Sequence, residues 1–94
     1  MTPVRVMLVE DSVVVRELLR YIVSRDPRLE LVAAVASGEE ALGTLQTVRP
    51  DVISMDIRLP GIDGLETTRR IMAEQPTPIV VIADSVEDSS LRIS

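Results

Sequence analysis

The sequence contains no cysteine, no histidine and no lysine in its 94 residues, and Tyr21 is its one aromatic side chain. Without cysteine there are no disulfides, no thiolate chemistry and no cysteine-ligated zinc, which excludes a secreted disulfide scaffold. Without histidine the commonest general base and the commonest transition-metal ligand are gone. Any chemistry here runs through oxygen. No apolar run approaches about 18 residues, so no segment reads as a membrane span. The start, Met1-Thr2-Pro3-Val4-Arg5, lacks the charged, apolar and small-residue zones of a secretory signal, and the expected location is cytoplasmic. Positive charge is also short. Ten arginines face fifteen acidic residues, a formal charge of −5, which argues against nucleic acid or an anionic membrane surface as a direct partner.

What is present is a globular composition, with 46% hydrophobic and 27% charged residues, where disordered chains combine few large apolar residues with high net charge. The length suits one domain, expected to run over residues 1–94. Val4 to Val9 is a β-branched run that is apolar at successive positions from Val6, as in a strand covered on both faces. After Glu10-Asp11-Ser12 the period changes to helical, with Val15, Leu18, Leu19, Ile22 and Val23 on one stripe until Asp26-Pro27. Leu29 to Val35 reads as a second strand. Ser37-Gly38-Glu39-Glu40 carries the serine-to-glutamate spacing of a capping box, and Ala41, Leu42, Leu45 and Val48 continue a second helix to Arg49-Pro50.

Asp51 to Asp56 is a third strand, again ending in a carboxylate, and Leu59-Pro60-Gly61-Ile62-Asp63-Gly64 is turn chemistry with two glycines available for positive φ. In a third helix Leu65, Thr68, Arg69 and Met72 share a face whose ends are apolar, with Met72 expected in the core and Arg69-Arg70 solvated. Tyr21 is expected to be a partly buried packing residue. Ile79 to Ala83 forms a fourth, uncharged strand, after which Ser85 and Asp88 suit the start of a fourth helix. The order β-α-β-α-β-α-β predicts a parallel, doubly wound sheet of flavodoxin-like type with strand order 2-1-3-4, incomplete because the sequence ends within the fourth helix.

Ligands of such sheets bind beyond the carboxyl ends of the strands where the order reverses, here between strands one and three. Glu10, Asp11 and Asp56 leave those two strands, which lie about 4.8 Å apart, so the three carboxylates converge. At ~5 Å and an effective dielectric of ~20 each like-charged pair costs on the order of 3 kcal/mol, so the cluster needs a proton or a cation. Oxygen ligands of this kind favour Mg²⁺. A carboxylate beside Mg²⁺ is also a nucleophile towards phosphorus, and Asp56, alone at its strand end, suits that role best. Taken singly, Asp11 or Ser12 would serve equally as a helix cap and Asp56 as an acceptor for loop amides. Their coincidence at the switch point favours a site.

At these residues the sequence resembles the receiver domains of two-component response regulators. Leu8-Val9-Glu10-Asp11-Ser12, Met55-Asp56-Ile57-Arg58-Leu59-Pro60-Gly61 and Ile62-Asp63-Gly64 match the family's spaced signatures in order, over essentially the whole chain. Asp26-Pro27, Ser54-Met55-Asp56 and Pro76-Thr77-Pro78-Ile79-Val80-Val81 are most similar to the receiver of chemotaxis protein-glutamate methylesterase. The resemblance implies a non-enzymatic phosphorelay module. In it Glu10 and Asp11 hold Mg²⁺, the Arg58 carbonyl completes the metal site, Asp56 accepts a phosphoryl group from a histidine kinase, and Pro60 and Gly64 shape the loop.

Two departures follow. The family's switch serine or threonine aligns with Ala83, with Ser85 the nearest hydroxyl, and the family's fifth strand with its lysine is missing, as is the Gly-x-Ser-x-Gly turn of an esterase domain. An alternative is therefore a phosphorylation-incompetent fragment that acts only in association, as a homo-oligomer formed through the edge of the fourth strand or by exchange of the last segment. An aspartyl phosphatase fits less well, because it needs a second aspartate where Arg58 stands.

Overall fold

The structure is a computed structural model that describes residues 2–82. It contains, in chain order, β1 (Val4–Val9), α1 (Val13–Ser24), β2 (Leu29–Val35), α2 (Gly38–Val48), β3 (Val52–Asp56), α3 (Gly64–Glu74) and β4 (Ile79–Ile82). The strands form one parallel sheet in the order β2-β1-β3-β4, the expected doubly wound arrangement. Ala83, Ser85 and the expected fourth-helix segment lie outside the described residues. The third strand starts one residue later than expected. Asp51 instead uses its carboxylate to accept the Arg5 backbone N–H at 2.9 Å, tying the entry of β3 to β1.

Period-two alternation along β1 divides the core. Met7 and Val9 point to one side, where they meet Ala41 and Leu45 of α2, Ile53 and Met55 of β3, and Ile71 of α3. Val6 and Leu8 point to the other side, against Val23, with Leu19, Leu31 and Val52 around them. The β1–β2 register slips by one residue, from Val6 opposite Leu31 to Met7 opposite Ala33. Val9 thereby comes opposite Val35, whose carbonyl accepts the Glu10 N–H at 3.0 Å, so the slip sets where β1 delivers its acidic end.

Each helix begins on a side-chain cap. Ser12 Oγ accepts from Val15 N–H (3.2 Å), Ser37 Oγ from Glu40 N–H (3.1 Å) and Asp63 Oδ1 from Glu66 N–H (2.8 Å). Glu40 reaches back to the Ala36 N–H at 2.7 Å, completing the reciprocal pattern read in the sequence, though one residue before the cap. Helix α2 ends at Arg49, which takes the left-handed conformation at φ 49° just before Pro50.

Three packing expectations are corrected. In α3 the buried residues are Gly64, Thr67 and Ile71, whereas Leu65 is 60% and Met72 48% exposed. The phase of α3 is set by two close approaches that glycines allow, one to backbone and one to a side chain. A Cβ on Gly64 would overlap the Asp56 carbonyl, and one on Gly38 would overlap the Thr67 hydroxyl. Turning Met72 inward would require those contacts to open.

In α1 the stripe is only partly covered: Val23 is buried and Leu19 half-buried, but Leu18 and Ile22 are exposed. Among the described residues this helix alone covers its side of the sheet. A cavity of about 240 Å³ opens beside it, lined by Leu8, Leu19, Ile22, Val52 and Val80. Tyr21, expected to be partly buried, is 58% exposed, with the Arg25 guanidinium 5.6 Å from its ring centroid. Arg69 and Arg70 are solvated as expected and pair with Glu66.

Candidate metal and phosphoryl site

Strands β1 and β3 are hydrogen-bonded neighbours, with Val9 opposite Met55, so the residues just beyond them emerge side by side. Asp56 is the last residue of β3; Glu10 and Asp11 lead out of β1 towards the Ser12 cap of α1. Oxygens of the Glu10, Asp11 and Asp56 carboxylates all lie within 4.8 Å of one another. The three acids singled out by the strand order are thus brought together. Glu10 and Asp56 are buried, at 6% and 8% exposure, while Asp11 faces solvent and leaves the mouth open on its side.

Local hydrogen bonds aim the carboxylates. Glu10 Oε2 accepts the Ser12 N–H at 3.1 Å, and Asp56 Oδ1 accepts the Arg58 N–H at 3.0 Å. Burial pushes the Glu10 carboxyl above its ordinary range, the Asp56 and Asp11 carboxyls push it the same way, and the Ser12 N–H opposes them. This is the response of clustered acids short of positive charge. A hard divalent cation would supply what they lack, and an all-oxygen donor set with one open side is chemically suited to Mg²⁺, which binds through one or two carboxylates and keeps several waters.

The loop from Ile57 to Asp63 is shaped around Asp56. Ile57 N–H donates to the Ile82 carbonyl (3.3 Å), Gly64 N–H donates to the Ile57 carbonyl (2.8 Å), and Leu59 is buried. Of the two glycines expected to supply positive φ, Gly61 does so, at +73°. Gly64 does not, and glycine is needed there because its Cα passes against the Asp56 carbonyl. Arg58 enters the site through its backbone N–H on Asp56. Ala83 and Ser85, the candidate switch positions, lie outside the described residues.

Two residues at the site were missed in the sequence. Arg16, in the first turn of α1, sends Nη1 back to the Glu10 carbonyl at 2.7 Å and pins the β1–α1 loop. Its position four residues after the Ser12 cap was the available signal, since that spacing returns a long side chain to the start of its own helix. Glu39 accepts the Ile62 N–H at 3.2 Å from across the fold. A contact 23 residues apart had no local signal.

Residues 6–93 match the family described as the response regulator receiver domain. The chain belongs to that family. This receiver domain is 55% identical over 91 residues to protein-glutamate methylesterase/protein-glutamine glutaminase 2 of Paramagnetospirillum magneticum, covering 97% of the chain and 26% of that protein. It is 54% identical over 80 residues to protein-glutamate methylesterase/protein-glutamine glutaminase 1 of Syntrophus aciditrophicus, covering 85% of the chain and 23% of that protein. Among solved structures, the response regulator domain of Thermotoga maritima CheB superposes with a TM-score of 0.85 at 32% identity, over 97% of this chain and 69% of that one.

The narrower resemblance to methylesterase receivers therefore holds, and the family to which the chain belongs is that of response-regulator receivers. The chain spans about a quarter of the length of these two curated relatives. A receiver domain is not by itself the catalytic part of such an enzyme; it is the part that histidine kinases phosphorylate. Among the described residues, no helix is long and apolar enough to cross a membrane.

Proposed function

We propose that this receiver domain is a Mg²⁺-dependent phosphoacceptor in which Asp56 is the phosphorylated residue, and that residues 1–94 act as one signalling unit in the cytoplasm. The observation that carries this reading is the convergence of three carboxylates, two of them buried, on one mouth at the β1/β3 switch point. Glu10 and Asp11 would hold the metal with the Arg58 carbonyl, and bound Mg²⁺ would offset the charge that gathers as a phosphoryl group arrives.

The chain's own groups do the rest. Asp56 is held at the end of β3 with Oδ1 engaged by the Arg58 N–H, so its other oxygen is the nucleophile. That oxygen forms a bond to phosphorus while the phosphorus–nitrogen bond of a kinase phosphohistidine breaks, and the electron pair leaves with the imidazole, which is protonated. Intact-mass spectrometry of the chain and of Asp56→Asn after incubation with acetyl phosphate and Mg²⁺ tests this. One phosphoryl group on the parent and none on the variant supports the reading; no transfer to a folded parent overturns it.

A second reading, association without phosphorylation, is favoured by β4. Among the described residues β4 is an edge strand whose Val80 and Val81 are both exposed, on opposite faces. Uncharged exposed edges recruit a further strand, here from a second copy. Light scattering over a concentration series distinguishes the cases: a monomer throughout removes this reading.

A further inference from the structure

The loop that follows Asp56 is fastened at its inner end by backbone hydrogen bonds and at its outer turn by a side chain from another helix. On the inner side Ile57 is bound to β4 and Gly64, and Arg58 to the Asp56 carboxylate. On the outer side Glu39, in the first turn of α2, turns its carboxylate onto the Ile62 N–H at 3.2 Å and packs over Gly61, where a Cβ would push the carboxylate aside. Its neighbour Gly38 brings the start of α2 against Ile62 and Thr67, so this corner of the fold is in direct contact. The Arg58–Leu59 peptide lies between the two fastenings.

We infer that Glu39 is a positioning residue for the phosphoryl site: it fixes the outer turn of the Ile57–Asp63 loop, and through that turn the direction of the Arg58 carbonyl. The inference rests on the proposed Mg²⁺ site. Gly61 supplies the reason a fastening is needed. A glycine at φ +73° has no side chain to restrict it, and the turn it makes would relax towards other conformations if the Ile62 N–H lost its acceptor. A hydrogen bond from a capped helix end is a fixed point for such a turn. Groups bonded directly to metal ligands typically change metal affinity about 10- to 100-fold when removed, and Glu39, acting through the loop, belongs at the low end of that range.

The test uses four versions of the full chain: the parent, Glu39→Ala, Glu39→Gln and Glu40→Ala. Glutamine keeps an oxygen for the Ile62 N–H but removes the charge. Glu40→Ala, in the same turn of α2 as Glu39, removes a different hydrogen bond, to the Ala36 N–H ahead of the cap, and leaves the loop alone. Mg²⁺ affinity is read from amide NMR titration, and fastening of the loop from hydrogen exchange at Ile62.

The inference expects about tenfold weaker Mg²⁺ binding in Glu39→Ala, faster exchange at Ile62, near-parent behaviour in Glu39→Gln and parent-like affinity in Glu40→Ala. Equal affinity in Glu39→Ala and the parent overturns it. Equal weakening in Glu40→Ala overturns it too, because the effect is then general helix stability, and so does equal weakening in Glu39→Gln, because the effect is then charge near the mouth and not fastening of the turn. A parent that binds no Mg²⁺ removes the site reading and the inference together, an outcome distinct from the other three.

Discussion

Gly38 of α2 and Thr67 of α3 meet so closely that a Cβ on the glycine would overlap the threonine hydroxyl, which itself donates to the Asp63 carbonyl at 2.7 Å. The threonine is fully buried and has no free direction in which to move. Gly38→Ala therefore pushes α2 away from α3 and the site loop, an overpacking change whose usual cost is about 1–3 kcal/mol. Because Gly38 is also the first residue of α2, the better helix propensity of alanine offsets little of that cost. Urea unfolding should give a lower midpoint with an unchanged slope. A midpoint at or above the parent's would mean that the two helices separate freely.

The same contact shows where reading the sequence stops. The strands, helix starts and the three acids were legible because each has a local cause: uninterrupted apolar runs, capping side chains, and carboxylates where those runs end; the sheet order followed from the fold type that their alternation implies. The phase of α3 was not legible. Leu65, Thr68 and Met72 have helical spacing, but the helix turns on where glycines admit other backbones, and those partners lie many residues away. Arg16 and Glu39 escaped for the related reason that each acts on a carbonyl or an amide, groups that every residue possesses.

Arg49 closes α2 in the left-handed conformation, with its N–H on the Leu45 carbonyl at 2.9 Å and Pro50 next in the chain. A side chain in this region costs about 1–2 kcal/mol, which glycine avoids at the expense of greater freedom in the unfolded chain. Arg49→Gly should leave the fold stabilised by about 0.5–1 kcal/mol, measured as a raised urea midpoint. Arg49→Val, β-branched at the same position, should lower it. If both substitutions move the midpoint in the same direction, backbone conformation is not what the position selects.

Acid should loosen α3 through Glu66. The guanidiniums of Arg69 and Arg70 hold the Glu66 carboxyl at about 2, against an ordinary value of 4.5. A carboxyl with a lowered folded-state pKa contributes stability that is present above the unfolded value and lost as pH falls towards the folded one, here between 4.5 and about 2. The group sits at the surface, so salt screens the effect. Glu66→Gln should flatten the fall in urea midpoint across this window, most visibly at low ionic strength. Glu10 acts with the opposite sign: its raised folded-state pKa favours the protonated form, and the stability it adds is lost as pH rises through that value. A Glu66→Gln profile that follows the parent's throughout would show that the two ion pairs contribute nothing.

The acidic mouth sets stability against function, and Asp56→Asn should expose the trade. Three carboxylates within 4.8 Å, two of them buried, repel one another in the metal-free chain. Removing one charge relieves two such pairs, each worth up to about 3 kcal/mol at an effective dielectric of ~20 and less on the side where Asp11 meets water. Asparagine keeps an oxygen for the Arg58 N–H, so the loop does not lose its fastening. Without Mg²⁺ the variant should be more stable than the parent by about 1–2 kcal/mol. With saturating Mg²⁺ the parent gains the free energy of binding, by mass action, and the variant gains less. The urea midpoints of the two proteins should therefore converge or cross as Mg²⁺ is added. Parallel midpoints across the titration would mean that Asp56 takes no part in holding the cation.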